Sequence, residues 1–238
     1  LQMVAEYLGK RIANRPAQYG GADVNGKQRK LGLIAVSASA QADELRKGFL
    51  DDLKKNYNTE IADVATYTDP VGVAAQAGEM MAKMKASGVT TVVFYGDPLA
   101  PQALTKAATE QGFSPEWVMT GSALVDTTLF ARTYDQQQWS HAFGPSNLFA
   151  RTNSNLTGST FLYKWFFNTD PPAEQVALLL PNLQLFYAAF QGIGPSLTPD
   201  ALRTALFDSP IVDSTVLTPQ ISWGNHKIWP ATDYAGVD

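Results

Sequence analysis

Apolar positions along the chain fall into two patterns that alternate from Leu31 onward. Leu31-Gly32-Leu33-Ile34-Ala35-Val36 is an unbroken apolar run, the pattern of a strand covered on both faces. A helix is predicted over about Gln41 to Tyr57. Leu45, Phe49, Leu50, Leu53 and Tyr57 fall on one stripe, and Arg46, Asp51, Lys54 and Lys55 off it. Ile61 to Tyr67 reads as a second strand. Asp69-Pro70 then predicts an N-cap with proline at the first helical position, opening a helix that carries Val73, Ala77, Met80, Met81 and Met84. The third strand is Thr91-Val92-Val93-Phe94-Tyr95, turning at Gly96-Asp97-Pro98 into a helix through Leu104 and Ala108. The fourth is Glu116-Trp117-Val118-Met119-Thr120, turning at Gly121-Ser122.

Strand-then-helix units at this spacing imply parallel strands joined by right-handed crossovers, an α/β fold with a doubly wound parallel sheet. Ligands of such sheets sit at the carboxyl ends of the strands. The loops of interest are therefore Ser37 to Gln41, Thr68 to Asp69, Gly96 to Leu99 and Gly121 to Asp126. Ahead of the sheet the chain opens inside a helix, with Tyr7, Leu8 and Ile12 on one face. Beyond Trp139 the pattern changes. His141-Ala142-Phe143 reads as a short strand, followed by helices over Leu156 to Asn168, Pro172 to Gln191 and Thr198 to Phe207. The last has Thr198 as N-cap, Pro199 in the first turn and Asp200 near the positive helix end. The tail from Val212 to Asp238 has little periodicity and needs a surface to lie against.

Composition narrows the function. Charged residues are 17% of the chain against a usual figure of about a quarter, and hydrophobic ones 45%, which excludes intrinsic disorder. Eighteen basic and twenty-two acidic residues leave a charge of −4 without blocks of one sign, so no nucleic-acid partner is expected. Cysteine is absent, which excludes disulfides, thiolate metal sites and a cysteine nucleophile. The most apolar stretch, Val176 to Ile193, is interrupted by Pro181, Asn182, Gln184 and Gln191. It reads as buried helix, and no membrane insertion of this segment is expected.

Textual matches to catalytic motifs fail on chemistry. Gly21-Ala22-Asp23-Val24-Asn25-Gly26-Lys27-Gln28 fits a P-loop until its last position, where Gln28 cannot supply the hydroxyl that holds magnesium, and it precedes a strand rather than following one. Gly192-Ile193-Gly194-Pro195 ends a helix, where glycine serves as a C-cap. His141 and His226 stand alone, Gly158-Ser159-Thr160 lacks the final glycine of a nucleophile elbow, and the carboxylates of Asp51-Asp52 lie on a solvated face. The cluster of Met80, Met81 and Met84 reads as core. No catalytic residue, metal or cofactor is called for. What remains are loops of small polar residues at strand ends: Ser37-Ala38-Ser39-Ala40-Gln41, Tyr95-Gly96-Asp97-Pro98 and Gly121-Ser122. Short hydroxyls, helix N-terminal amides and one aromatic ring suit a small polar ligand better than a reaction.

The arrangement resembles a type I periplasmic solute-binding protein, in the branched-chain amino acid branch of the ABC-transporter substrate-binding family. The resemblance rests on Arg29-Lys30-Leu31-Gly32-Leu33-Ile34, on Thr91 to Asp97 and on Glu116 to Gly121. It continues through Gly194-Pro195-Ser196-Leu197-Thr198-Pro199, then Leu202 and Phe207, to the closing Trp229-Pro230-Ala231-Thr232-Asp233-Tyr234. It implies two lobes on a hinge with the ligand between them, and a chain whose first third has no counterpart here. Residues 1–29 would be the last helix of the first lobe and a hinge crossing, 30–140 a complete second lobe, and 141–211 a helical return to an incomplete first lobe. Residues 212–238 would then form the final crossing. The 238 residues would be part of a chain roughly half as long again, within the usual size of a two-domain protein.

By the same resemblance the protein binds a small solute, without catalysis and without cofactor, for an ABC permease outside the cytoplasm. A signal sequence and any anchoring cysteine would lie upstream of Leu1. Ligand contacts are implied at Ser37, Ser39, Gln41, Tyr95, Asp97, Ser122 and Asp126. Family members that bind α-amino acids place an acid just after the fourth strand. Here Gly121-Ser122-Ala123-Leu124 has none, so an ammonium group would depend on Asp97 or Asp126 to offset its desolvation. A sensory domain of a signalling system is the alternative use of this fold, distinguished by its gene neighbours. An enzyme would need a cluster of perturbed ionisable groups at the strand ends.

Overall fold

The computed structural model describes residues 1–122, 124–148, 160–171, 176–211 and 213. Two compact units divide the chain, Leu1–Asn147 and Leu148–Asp238. In the first, helix α1 (Gln2–Tyr7) runs into a π-helical turn, Leu8–Ile12. Strand β1 (Leu31–Val36), helix α2 (Ala40–Tyr57), β2 (Ile61–Tyr67), α3 (Ala77–Ala86), β3 (Thr91–Tyr95), α4 (Ala100–Glu110) and β4 (Glu116–Met119) follow, then the short helices α5 (Thr128–Ala131) and α6 (Gln136–Trp139). The four strands form one parallel sheet in the order β2-β1-β3-β4. The expected α/β parallel sheet is present.

Alternation along each strand builds two cores. Leu31, Leu33 and Ala35 of β1, with Val93 and Val118, meet Val4, Ala5, Leu8 and Ile12 and, from α2, Phe49 and Leu53. Ile34, Val92, Phe94 and Trp117 face the other way, against Met80, Met81 and Met84 of α3 and Leu104 and Ala108 of α4. The methionines are core, as their spacing implies. The resemblance implied that residues 1–29 hold the last helix of another lobe and a hinge crossing. The apolar side of that helix is instead buried on this sheet, because Val4, Ala5, Leu8 and Ile12 cover a face that α2 alone leaves open. The other end of the unit also moves, from residue 140 to Asn147. Phe143 takes a single parallel bridge to Val118, its amide bonding the Trp117 carbonyl at 3.0 Å and its carbonyl the Met119 amide at 2.9 Å.

Caps fix the helix starts. The Ser39 hydroxyl accepts from the Ala42 amide at 3.2 Å to open α2, with Asp43 in its first turn and Lys54 and Lys55 in its last. The helix expected at Asp69-Pro70 begins later. Asp69 accepts from the Val71 amide at 3.0 Å and its carbonyl from Val73, closing a 3₁₀ turn over Gly72–Ala75 that drops Val73 into the core before α3 starts. The P-loop look-alike is a surface connection: Pro16 and Gln28 bridge in antiparallel fashion, and the Ala17 amide bonds the Lys27 carbonyl.

Two glycines in helical segments have opposite roles. A Cβ on Gly9 would lie 2.3 Å from the Tyr57 ring, whereas one on the exposed Gly48 in α2 would meet nothing within 4 Å. Gly9→Ala is expected to cost about 1–3 kcal/mol through overpacking. Gly48→Ala is expected to gain about 0.5–1 kcal/mol from helix propensity. Urea unfolding midpoints that move in opposite directions check both.

At the amino edge of the sheet a buried ion pair ties the connection to the strands. Arg29, just before β1, donates to both carboxylate oxygens of Glu116 at the start of β4, at 2.7 and 2.8 Å. Thr91 of β3 donates to the same carboxylate at 2.6 Å, and the amides of Gln18 and Tyr19 at 2.7 and 3.0 Å.

In the second unit the structure describes α7 (Phe161–Phe167), α8 (Val176–Ile193) and α9 (Pro199–Phe207). α8 and α9 pack against each other. Thr198 caps α9 by accepting from Ala201 at 3.2 Å, as expected, and Gly194 follows α8 with φ +67°. The expected helix starts at Leu156 and Pro172 and the tail from Ser214 lie outside the described residues.

Candidate functional site

Because all four strands run the same way, their carboxyl ends deliver four loops to one edge. The order β2-β1-β3-β4 puts the loop after β1 between those after β2 and β3, and the loop after β4 at the far side. Hydrogen bonds join them. The Ser37 amide bonds the carbonyl of Tyr67, joining the β1 and β2 loops at 2.8 Å. Tyr67, the last residue of β2, reaches past β1 to donate its hydroxyl to Asp97 at 2.5 Å, and accepts from the Asp97 amide at 3.2 Å. Ser122 accepts from the Gly96 amide at 3.2 Å, and Thr120 donates to the Phe94 carbonyl at 2.9 Å, fastening the β4 loop to β3.

The expected site residues divide by what they already hold. Ser37 donates to Asp43 at 2.5 Å, and Arg46 bonds the same carboxylate oxygen at 2.6 Å. The Ser37 bond first, and then Arg46, hold the Asp43 pKa below its ordinary value. Ser39 caps α2, and Gln41 is exposed in the first turn of that helix. Tyr95 ends β3 beside Ala35 of β1, half-buried and packed on the α1–α2 side of the sheet. Asp97 caps α4 through Leu99 and Ala100, at 2.7 and 3.1 Å, while holding Tyr67 with its other oxygen. Asp126 is only 6% exposed. One of its oxygens accepts from Ser146, and the other, Oδ1, finds no donor. The structure thus gathers Ser37, Tyr95, Asp97 and Ser122 at one edge and leaves Ser39 and Gln41 at its outer margin.

Two tyrosines complete the edge. Burial first, then the bond to Asp97, raises the Tyr67 pKa well above the ordinary phenol value. The Tyr134 pKa is also raised, first by burial and then by the negative charges of Asp97 and Asp126, which disfavour the phenolate. Tyr134 donates to the Pro98 carbonyl at 2.6 Å and packs edge-on against Trp139 at 4.7 Å. Tyr67 was legible as the end of a strand beside a loop of interest. Tyr134 lies in an aperiodic stretch and gave no signal. Ser146 and Asn147 were missed as well; Asn147 donates to the Gly121 carbonyl at 2.9 Å. Among the described residues no three acids or histidines stand close enough to hold a metal ion, and His141 is exposed. No described helix is long and apolar enough to cross a membrane.

No family model matches the chain, and no curated protein matches it. Solved structures do. An ABC-transporter substrate-binding protein from Aeropyrum pernix aligns with a TM-score of 0.58 at 13% identity, over 82% of this chain and 53% of that one. A solute-binding protein of an ABC transporter from Rhodopseudomonas palustris BisB5, in complex with 3,4-dihydroxy benzoic acid, gives 0.54 at 12% identity, over 86% and 51%. A leucine-, isoleucine-, valine-, threonine- and alanine-binding protein from Brucella ovis, in its closed conformation, gives 0.51 at 14% identity, over 90% and 50%. At such identities the likeness defines the fold. It is the fold of type I periplasmic solute-binding proteins of ABC transporters, as the sequence resemblance implied, and the chain spans about half the length of those proteins.

Proposed function

We propose that this chain is a non-catalytic solute-binding component of an ABC importer, working outside the cytoplasm and passing a small polar organic molecule to a permease. The observation that carries this reading is the polar edge itself. Loops from all four strands are cross-bonded there into one surface, through Ser37–Tyr67, Tyr67–Asp97 and Ser122–Gly96. A pre-formed edge spares a ligand the entropy of ordering the loops. Tyr95 and Ser122 are the direct contacts in this reading, with Ser37, Ser39 and Gln41 bordering them, Asp97 fixing the β3 loop and the buried Asp126 fixing the β4 loop. The solved structures of the same fold, whose names describe binders of amino acids and of a dihydroxybenzoic acid, support small organic solutes as the class. The second unit, from Leu148, is read as belonging to another lobe. The hydroxyls and carboxylates described at the edge hold one another, which supports a binding role.

A thermal-shift screen of amino acids, amides, aromatic acids and polyols tests the reading. A solute at about a hundred times its dissociation constant adds about 2.7 kcal/mol, and each kcal/mol raises the midpoint of a domain this size by about 2–4 °C. Flat melting curves together with turnover of any substrate would contradict it.

A further inference from the structure

The chain leaves the first unit along a path tied to the polar edge. Phe143 carries the sheet on past β4 by its bridge to Val118, and its ring packs on Tyr19 at 4.9 Å and under the Arg29 guanidinium at 5.9 Å. From there residues 144–147 follow β4 to the carboxyl edge and close onto the loop after it. Gly144, at φ +147°, crosses so near that a Cβ would lie 2.0 Å from the Met119 carbonyl oxygen. Gly121, at φ +70°, has the backbone of Pro145, Ser146 and Asn147 within 3.1 Å of the place its Cβ would take. Two side chains join the paired backbones. Asn147 donates to the Gly121 carbonyl at 2.9 Å, and Ser146 donates to the buried Asp126. These bonds grip the two ends of the β4 loop, and Ser122 lies between them. The loop's own turns are already closed by the Val125 and Thr127 amides on the Ser122 and Leu124 carbonyls, at 3.1 and 3.0 Å. The outer bonds therefore set where the loop sits rather than its shape.

We infer that residues 143–147 are a strap that positions the β4 loop for the solute, with Ser146 and Asn147 as its positioning residues, so that occupation of the edge and closure of the strap are coupled. This rests on the solute-binding reading above and adds the element that sets the affinity of that site. The loop can offer Ser122 to a solute only in the fraction of molecules in which it is correctly seated, and the apparent affinity falls by that fraction. Linkage runs both ways, so a solute that binds the seated loop better must also tighten the strap. The strap ends at the last residue of the first unit, and the segment it tightens is the one through which the chain passes on to Leu148. Ser146 and Asn147 are themselves exposed, and truncating them changes global stability little.

Asn147→Ala and Ser146→Ala test the strap on the full chain. Wild type and variants are titrated calorimetrically with leucine, acetamide, 3,4-dihydroxybenzoate and glycerol, one from each class of the thermal-shift screen, and amide exchange at 143–147 is followed with and without the tightest binder. Each variant is expected to bind it at least about tenfold more weakly, as when the loop is seated in about one molecule in ten, with a melting midpoint within about 2 °C of wild type. In the wild type the solute is expected to slow exchange of the strap amides, and in the variants that slowing is lost. Ser146→Thr, which keeps the hydroxyl at an exposed position, should restore both. Unchanged affinity in the two alanine variants, or strap exchange indifferent to solute, would overturn the inference and leave the solute-binding reading standing. So would an affinity loss that comes with a midpoint loss of many degrees and is not restored by Ser146→Thr, which would make the two residues merely structural. If neither these four nor any other solute of the screen binds the wild type, the reading itself falls and the inference with it.

Discussion

Replacing Glu116 with alanine is expected to cost about 3–5 kcal/mol of stability, the usual loss when one member of a buried ion pair is removed. The carboxylate is fully buried and serves five donors: two from Arg29, one from Thr91 and the amides of Gln18 and Tyr19. Its removal strands the Arg29 guanidinium, which would keep the carbonyls of Ile12 and Arg15, at 3.2 and 3.4 Å, and the face of the Phe143 ring at 5.9 Å, but no counter-charge. The cost is therefore mostly that of a desolvated, uncompensated charge. The same site sets an acid limit. Burial pushes the Glu116 pKa up, but the bonds from Arg29, Thr91 and the two amides outweigh it and hold it below the ordinary 4.5. A carboxylate with a lowered folded pKa contributes stability that is complete above the unfolded value and drains as the pH falls through the folded one. Wild-type stability is thus expected to fall as the pH drops below 4.5, with a gentler decline in Glu116→Ala. Urea unfolding at pH 7 and across the acid range measures both; a loss under 1 kcal/mol at pH 7 would remove the ion pair from its central place.

The second large effect is expected at Gly96. A Cβ there would sit 2.1 Å from the Tyr67 hydroxyl and 2.7 Å from the Phe94 ring. Both rings are buried, so neither has room to turn aside. Gly96→Ala must displace Tyr67 from Asp97, with an overpacking cost of about 1–3 kcal/mol and the loss of a hydrogen bond to a charged group, worth about 1.5–3 kcal/mol. The polar edge is expected to loosen along with stability, so a solute that stabilises the wild type should bind Gly96→Ala at least tenfold more weakly. Tyr67→Phe separates the two causes, because it deletes the hydroxyl without crowding. It should weaken the edge yet cost less than Gly96→Ala, and equal losses would show that crowding contributes nothing.

Much of the first unit was legible because its signals are local. Unbroken apolar runs gave β1 and β3, the stripe through Phe49 and Leu53 gave α2, and the spacing of Met80, Met81 and Met84 gave the core face of α3. The loops of interest followed from parallel order alone. What sequence could not show are bonds between distant residues. Glu116 looks like an ordinary polar start to a strand until the fold brings Arg29, eighty-seven positions away, against it. Asp97 was legible as a loop carboxylate but not as the shared partner of Tyr67 and the α4 amides, and Tyr134 offered no periodicity to read. The placement of α1 failed for a related reason. An amphipathic helix declares that it has an apolar side, not which sheet covers it, and only packing put Leu8 and Ile12 on β1.

The central claim is that a small solute is held at the carboxyl edge of this sheet without being transformed. Amide NMR of the ¹⁵N-labelled chain, titrated with the solute that raises the melting midpoint most, tests it directly. The expected result is a saturable shift of amides in Ser37 to Gln41, Tyr95 to Leu99 and Gly121 to Asp126, with the amides around Arg29 and Glu116 unmoved and the solute's own spectrum unchanged over hours. Shifts confined to the amino edge or to α7–α9, or conversion of the solute to a new species, would contradict it.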